Sequence, residues 1–125
     1  MNFPYFSDDE LKCPCCGENK MDVRFMDRLV GLRSYSNIVM PITSGYRCGA
    51  HNKKVGGVAT SAHVVGRAVD INLYQGNLFD LLPIIKTYGM TGVGLKQTGK
   101  LNKRMLHLDD LGSTELNARP TVWTY

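Results

Sequence analysis

The run Gly66 to Leu73, GRAVDINL, constrains the fold more than any other part of the chain. Its side chains alternate, so Val69, Ile71 and Leu73 share one face while Ala68, Asp70 and Asn72 share the other. A strand with one apolar face needs strands beside it and a layer above it. Three other short runs can pair with it: Ile38 to Thr43 (IVMPIT), Thr91 to Lys96 (TGVGLK) and Met105 to Asp109 (MLHLD). Pro41 lacks an N–H and points to an edge position or a bulge in the first of them. The polar stretch Lys96 to Lys103 reads as the hairpin loop between the other two.

Helical periodicity stands between these strands. From Met21 to Tyr35 the apolar residues Phe25, Met26, Leu29, Val30 and Leu32 recur at helix spacing. Asp22 and Asp27 lie early on that stretch and Arg28 and Arg33 late, as the helix dipole favours. A second helix is expected from Leu78 to Tyr88, with Leu78, Leu81, Leu82 and Ile85 inward and Gly89 closing it. A short helix over Ala50 to Val55 fits inside the glycine-rich loop Ser44 to Ala62, and Ser7 with Glu10 has capping-box spacing. The tail RPTVWTY reads as a last extended segment packing Val122 and Trp123. The expectation is an α+β fold: residues 1–125 as one small domain, an antiparallel sheet packed with helices. A chain of 125 residues buries enough core to fold without metal or disulfides.

Charge and hydropathy remove several functions. Fifteen Lys and Arg against eleven Asp and Glu leave a net charge of +4, a mild excess without a basic, aromatic-interleaved stripe, which speaks against nucleic-acid binding. No apolar stretch is long enough to span a bilayer. The start, MNFPYFSDDELK, shows neither a basic n-region nor an apolar h-region, so no secretory signal is expected.

Two groups of residues carry chemistry. His63 is followed seven residues later by Asp70, and His107 stands 37 residues beyond Asp70. Two imidazoles and one carboxylate can hold a catalytic zinc and leave a fourth position open. Spacing alone equally fits a hydrogen-bonded His–Asp pair. The second group is Cys13, Cys15 and Cys16 in CPCCG, with Cys48 in GYRCGAHN. It reads as thiols pinning the N-terminal turn to the loop around Cys48, and the choice among thiols, disulfide and metal stays open.

The longer string SGYRCGAHNKKVGGVATSAHVVGRAVDI resembles the signature of the M15 zinc peptidases, in the subgroup of zinc D-Ala-D-Ala carboxypeptidases and phage cell-wall endopeptidases. The matching positions are Ser44-Gly45-Tyr46-Arg47, His51-Asn52, Gly56-Gly57, then Ser61, His63, Gly66, Ala68, Asp70 and Ile71. Gly92-Val93-Gly94 and Leu106-His107-Leu108-Asp109 complete the match.

The resemblance implies a hedgehog/D,D-peptidase-like zinc site with His63, Asp70 and His107 as metal ligands and one Zn2+ per chain. Arg47 matches an arginine set near the substrate carbonyl, where it would stabilise an oxyanion; the alternative is a structural pair with Asp70 or Asp109. Ser61 would orient a ligand or bind substrate, or else cap a loop. Many M15 enzymes place an acidic general base three residues before the last histidine, where this chain has Arg104. Asp109, on the face of His107, is then the expected general base, with a supporting role as the alternative. Asp110, on the opposite face, should be a solvated strand-end charge. The implied function is hydrolysis of a peptide bond in bacterial peptidoglycan stem peptides or cross-links by a monomeric, phage-encoded endolysin or virion-associated enzyme. It would be made in the bacterial cytoplasm and act at the cell wall. A zinc-dependent cell-wall-binding or structural module is the alternative, because Arg104 replaces the acidic residue.

Overall fold

The computed structural model describes residues 2–125. Nine α-helices and strands follow in chain order: α1 (Asp8–Leu11), α2 (Val23–Ser36), β1 (Ile42–Ser44), α3 (Gly49–Lys54), β2 (Ala68–Ile71), α4 (Gln75–Leu81), β3 (Gly92–Lys96), β4 (Met105–Asp109) and β5 (Thr121–Thr124). The strands form one five-stranded sheet in the order β1-β2-β4-β3-β5. The α+β expectation holds. The expected antiparallel sheet needs one correction, because β5 runs parallel to β3 while the other three pairings are antiparallel.

Local chemistry explains the element boundaries. Ser7 and Glu10 form the expected capping box at α1. Asp22 lies just outside α2 and caps it, its carboxylate accepting from the Phe25 N–H at 2.9 Å. Strand β1 starts only after Pro41, which has no N–H to give to a ladder, and its pairing with β2 carries an irregularity between Ile42 and Ser44. The helix expected over 78–88 breaks up. The α-helix ends at Leu81, and 3₁₀ turns over Leu82–Ile84 and Lys86–Tyr88 complete the stretch. Pro83 sits at the break, where its missing N–H removes a helical hydrogen bond. Gly89 closes the segment at φ 82°, the left-handed conformation glycine tolerates.

The two faces of the sheet divide the work. Val69, Ile71, Leu106 and Leu108 from one face join Phe25, Met26, Leu29 and Leu32 of α2 in the core, and all eight are fully buried. Burial of each such side chain stabilises the fold by about 1.5–3 kcal/mol relative to exposure. The other face presents a row in cross-strand register: Asp70 on β2, His107 on β4, Gly94 on β3 and Trp123 on β5. A second row beside it runs Ala68, Asp109, Gly92 and Thr121.

Asp110 departs from its expected place. It is 4% exposed, and its carboxylate accepts from Arg28 of α2 at 2.7 Å and from Arg67 at 2.8 Å. Strand alternation does turn it away from Asp109, but that side is covered by α2 and the Arg67 side chain.

Candidate metal centre

Asp70 and His107 are neighbours across the β2–β4 pair, so the sheet register alone brings them together. His63 arrives from the turn before β2. That turn is held by Arg47 N–H to His63 C=O (3.1 Å), Gly66 N–H to His63 C=O (3.2 Å) and Asp22 N–H to Gly66 C=O (2.9 Å). The three side chains are buried, and their ligand-type atoms lie within 4.8 Å of one another. His63 Nε2 is 3.2 Å and His107 Nδ1 3.0 Å from the same oxygen, Asp70 Oδ1. For nitrogen and oxygen ligands about 2.0–2.1 Å from a tetrahedral zinc, the ligand–ligand edge is about 3.3–3.4 Å. The observed spacing is close to that edge.

Hydrogen bonds on the outer side of each ring set what the inner atoms can be. His63 Nδ1 lies 2.8 Å from the Gly45 carbonyl, which only accepts, so Nδ1 carries the proton. His107 Nε2 lies 2.8 Å from Asp109 Oδ2, which as a carboxylate also only accepts. In the neutral rings the lone pairs are therefore on His63 Nε2 and His107 Nδ1, and both point at an anionic oxygen. Three lone pairs converge with no proton between them, and only a cation completes the arrangement. The residues present thus fit a metal ion.

Electrostatics agree. Burial alone would raise the Asp70 carboxyl pKa, but hydrogen bonds and charge from His107 and His63 outweigh it and hold the group well below the usual carboxylate range. Burial works against protonation of His107, yet Asp109 and Asp70 together raise its pKa above the ordinary histidine value.

The other site residues from the sequence are placed as follows. Arg47 Nη2 donates to Asp70 Oδ2 at 3.1 Å, Nε donates to Ser44 Oγ at 2.9 Å, and Nη1 donates to Asn52 Oδ1 at 3.4 Å. The pair with Asp70 leaves Oδ1 as the oxygen that faces the imidazoles. Ser61 Oγ accepts from the His63 N–H at 3.3 Å and so steadies the turn. Asp109 is completely buried, and its two oxygens are shared out. Oδ2 accepts from His107 and from Arg119 Nη2 (2.8 Å), while Oδ1 accepts from Arg119 Nε (2.9 Å) and from the Leu111 N–H (3.3 Å). Its carboxyl is also held far below the usual range, because His107 and Arg119 overcome the cost of burial.

Three tail residues complete the centre, and motif spacing gave no sign of them. Arg119 clamps Asp109 through two N–H donors, a planar fork on a carboxylate. The Trp123 ring lies 5.1 Å from the His107 ring, centroid to centroid, and the Arg119 guanidinium lies 5.3 Å from the Trp123 ring. Gly94 makes room for Trp123, since a Cβ there would stand 2.7 Å from the indole Nε1. Gly92 likewise lies under the Asp109 carboxylate, which a Cβ would strike. Both glycines serve contacts within the chain. Tyr125 lines the same cleft. The cleft above the centre has a volume of about 480 Å³ and is walled by Arg47, Gly57, Ser61, Arg119, Trp123 and Tyr125 among others.

The family model described as Peptidase M15 matches residues 4–109, which contain Arg47, Ser61, His63, Asp70, His107 and Asp109. The chain belongs to the Peptidase M15 family. No curated protein matches it. Membership in Peptidase M15 supports a peptidase, and the His63–Asp70–His107 group is one that can hold its metal. Arg119, Trp123 and Tyr125 lie beyond the matched span and add to the M15 centre from β5 and the residues flanking it. Among the described residues no helix is long and apolar enough to cross a membrane.

Proposed function

We propose that the protein is a zinc-dependent peptidase that hydrolyses a peptide bond in bacterial peptidoglycan stem peptides or cross-links. The metal-dependent reading rests on one observation: the lone pairs of His63 Nε2 and His107 Nδ1 converge on Asp70 Oδ1 at the floor of an open cleft. A zinc ion bound there would supply Lewis acidity and draw the pKa of a water toward neutrality. The chain's own residues prepare that position. The Gly45 carbonyl and Asp109 fix the two ring tautomers, and Arg47 holds Asp70 with one oxygen turned inward. Arg47 and Ser61 line the cleft and are proposed to meet the substrate, Arg47 beside the carbonyl being cut. Asp109 is proposed as a positioning residue for His107 in place of the general base, because both of its oxygens are already engaged by His107, Arg119 and the Leu111 N–H.

The peptidoglycan substrate rests on the M15 motif, as does the assignment to a phage endolysin or virion enzyme made in the bacterial cytoplasm and acting at the wall. The whole chain is read as one monomeric peptidase domain, since the tail beyond the family match supplies Arg119 and β5 to the same centre. Incubating zinc-loaded protein with purified peptidoglycan should release new amines, and fragment masses identify the bond. Unchanged fragments with zinc bound would refute peptidoglycan hydrolysis. They would favour the second reading, a zinc-dependent cell-wall-binding module. One observation favours that reading: the two carboxylates lining the cleft, Asp70 and Asp109, are both already engaged. Such a module would sediment with peptidoglycan without cutting it.

A further inference from the structure

None of the four cysteines lines the cleft, and the peptidase reading makes no use of them. They are nevertheless gathered. Cys13, Cys16 and Cys48 present sulfur atoms within 4.8 Å of one another, although Cys48 lies 35 residues beyond Cys13. The Cys13 and Cys48 sulfurs are 3.7 Å apart. For thiolates at about 2.3 Å from a tetrahedral zinc, the sulfur–sulfur edge is about 3.8 Å. Cys15, beside Cys16 in the same CPCCG turn, carries a fourth, exposed thiol.

The backbone around the cluster is built to receive negative sulfur. The turn is closed by Cys13 N–H to Glu18 C=O and Gly17 N–H to Cys13 C=O, both 2.8 Å, with Gly17 in the left-handed conformation at φ 74°. The Cys48 N–H donates to Cys13 Sγ at 3.4 Å, and the His51 N–H donates to Cys48 Sγ at 3.4 Å from the first turn of α3. Such donors stabilise thiolate over thiol.

We propose that Cys13, Cys16 and Cys48, with Cys15 as the fourth ligand, form a second, structural zinc site. Four sulfurs close the coordination sphere, so the site has no open position for substrate or water. Its place in the fold gives it a task. Tyr46 N–H already bonds to Leu11 C=O at 2.9 Å, joining the N-terminal segment to the loop before α3. That loop carries Gly45, whose carbonyl fixes the His63 tautomer, and Arg47, which holds Asp70. A metal bound by Cys13 and Cys48 staples the same two segments and so steadies the residues that orient the cleft ligands.

The inference is independent of whether the protein cuts peptidoglycan, and its test reads metal directly. Protein purified with zinc under reducing conditions should contain two zinc ions per chain. His63→Ala/His107→Ala should retain one, and adding Cys48→Ser should remove it. Cys15→Ser should keep the ion at reduced affinity; unchanged affinity would overturn the four-thiolate set. Zinc-loaded protein should resist alkylation at the exposed Cys15 and Cys16 until a chelator is added. Should the multiple variants fail to fold, the wild-type protein decides the matter. With cobalt in place of zinc it should show a sulfur-to-cobalt charge-transfer band. A cobalt spectrum without sulfur character, or an intact mass that fits a Cys13–Cys48 disulfide with no metal at the cysteines, would overturn the proposal.

Discussion

Replacing Asp109 with Asn separates two accounts of how the centre is built. Asn keeps the shape of the side chain but loses its charge and turns one acceptor into a donor. In the structure Asp109 Oδ2 accepts from His107 Nε2 while both oxygens accept from Arg119. An amide cannot satisfy every one of these donors. If its NH₂ faces His107, the imidazole proton is driven to Nδ1, the atom aimed at the metal. If it faces Arg119, a guanidinium 10% exposed loses its buried counter-charge. Breaking one side of a buried pair costs about 3–5 kcal/mol. The lower end applies here, because Arg119 keeps its bond to the Ala118 carbonyl at 2.7 Å and its contact with Trp123. Loss of such a support weakens metal binding by about 10–100-fold, which is roughly 1.4–2.7 kcal/mol. Zinc affinity is measured by competition with a chromophoric chelator, and turnover is followed across a zinc titration. Asp109→Asn should need more zinc and recover most of its activity at saturation. Unaltered zinc affinity, with activity still down about 100-fold or more at saturation, would refute the positioning role and make Asp109 the general base.

Three further outcomes follow from the same geometry. Gly92→Ala places a methyl against the Asp109 carboxylate and should lower stability by about 1–3 kcal/mol; a wild-type chemical-denaturation midpoint would contradict the packing described. Asp110→Asn weakens the charge-assisted hydrogen bonds that the buried carboxylate accepts from the part-exposed Arg28 and Arg67 and should cost about 1.5–3 kcal/mol in denaturation, whereas a solvated strand-end charge would cost almost nothing. The third concerns pH in the metal-free protein. Asp70 and Asp109 have lowered folded-state pKa values, so their contribution is present above the unfolded value of about 4 and is lost as pH falls below it. His107 has a raised value, so its contribution is full below about 6.5 and is lost as pH rises through the folded pKa. Melting temperatures should therefore peak between about pH 4 and 6.5, and a flat profile from acid to alkaline pH would contradict the charge network.

Strands β2, β3 and β4 were legible because each rests on a local alternation, whereas the grouping of His63, Asp70 and His107 was legible only through the M15-like motif. Alternation in GRAVDINL put Asp70 opposite Val69 and Ile71, and MLHLD fixed the exact bounds of β4. What sequence could not supply was the register of the tail. Arg119, Trp123 and Tyr125 reach the centre only because β5 adds in parallel beside β3, a non-local pairing that local periodicity does not encode. Asp110 was misplaced for a related reason. Alternation tells which side of the strand a residue takes, and only tertiary packing tells whether α2 covers that side. Asp109 shows the same limit at the centre itself. Its face was legible, but whether its oxygens were free depended on Arg119, ten residues on and outside any motif.

The most direct test of the account is a crystal of the zinc-loaded protein with anomalous scattering recorded at the zinc edge. The account expects a peak bonded to His63 Nε2, Asp70 Oδ1 and His107 Nδ1, with His107 Nε2 still on Asp109 and His63 Nδ1 still on the Gly45 carbonyl. Zinc bonded through His107 Nε2, or no peak among these three residues at neutral pH, would contradict it.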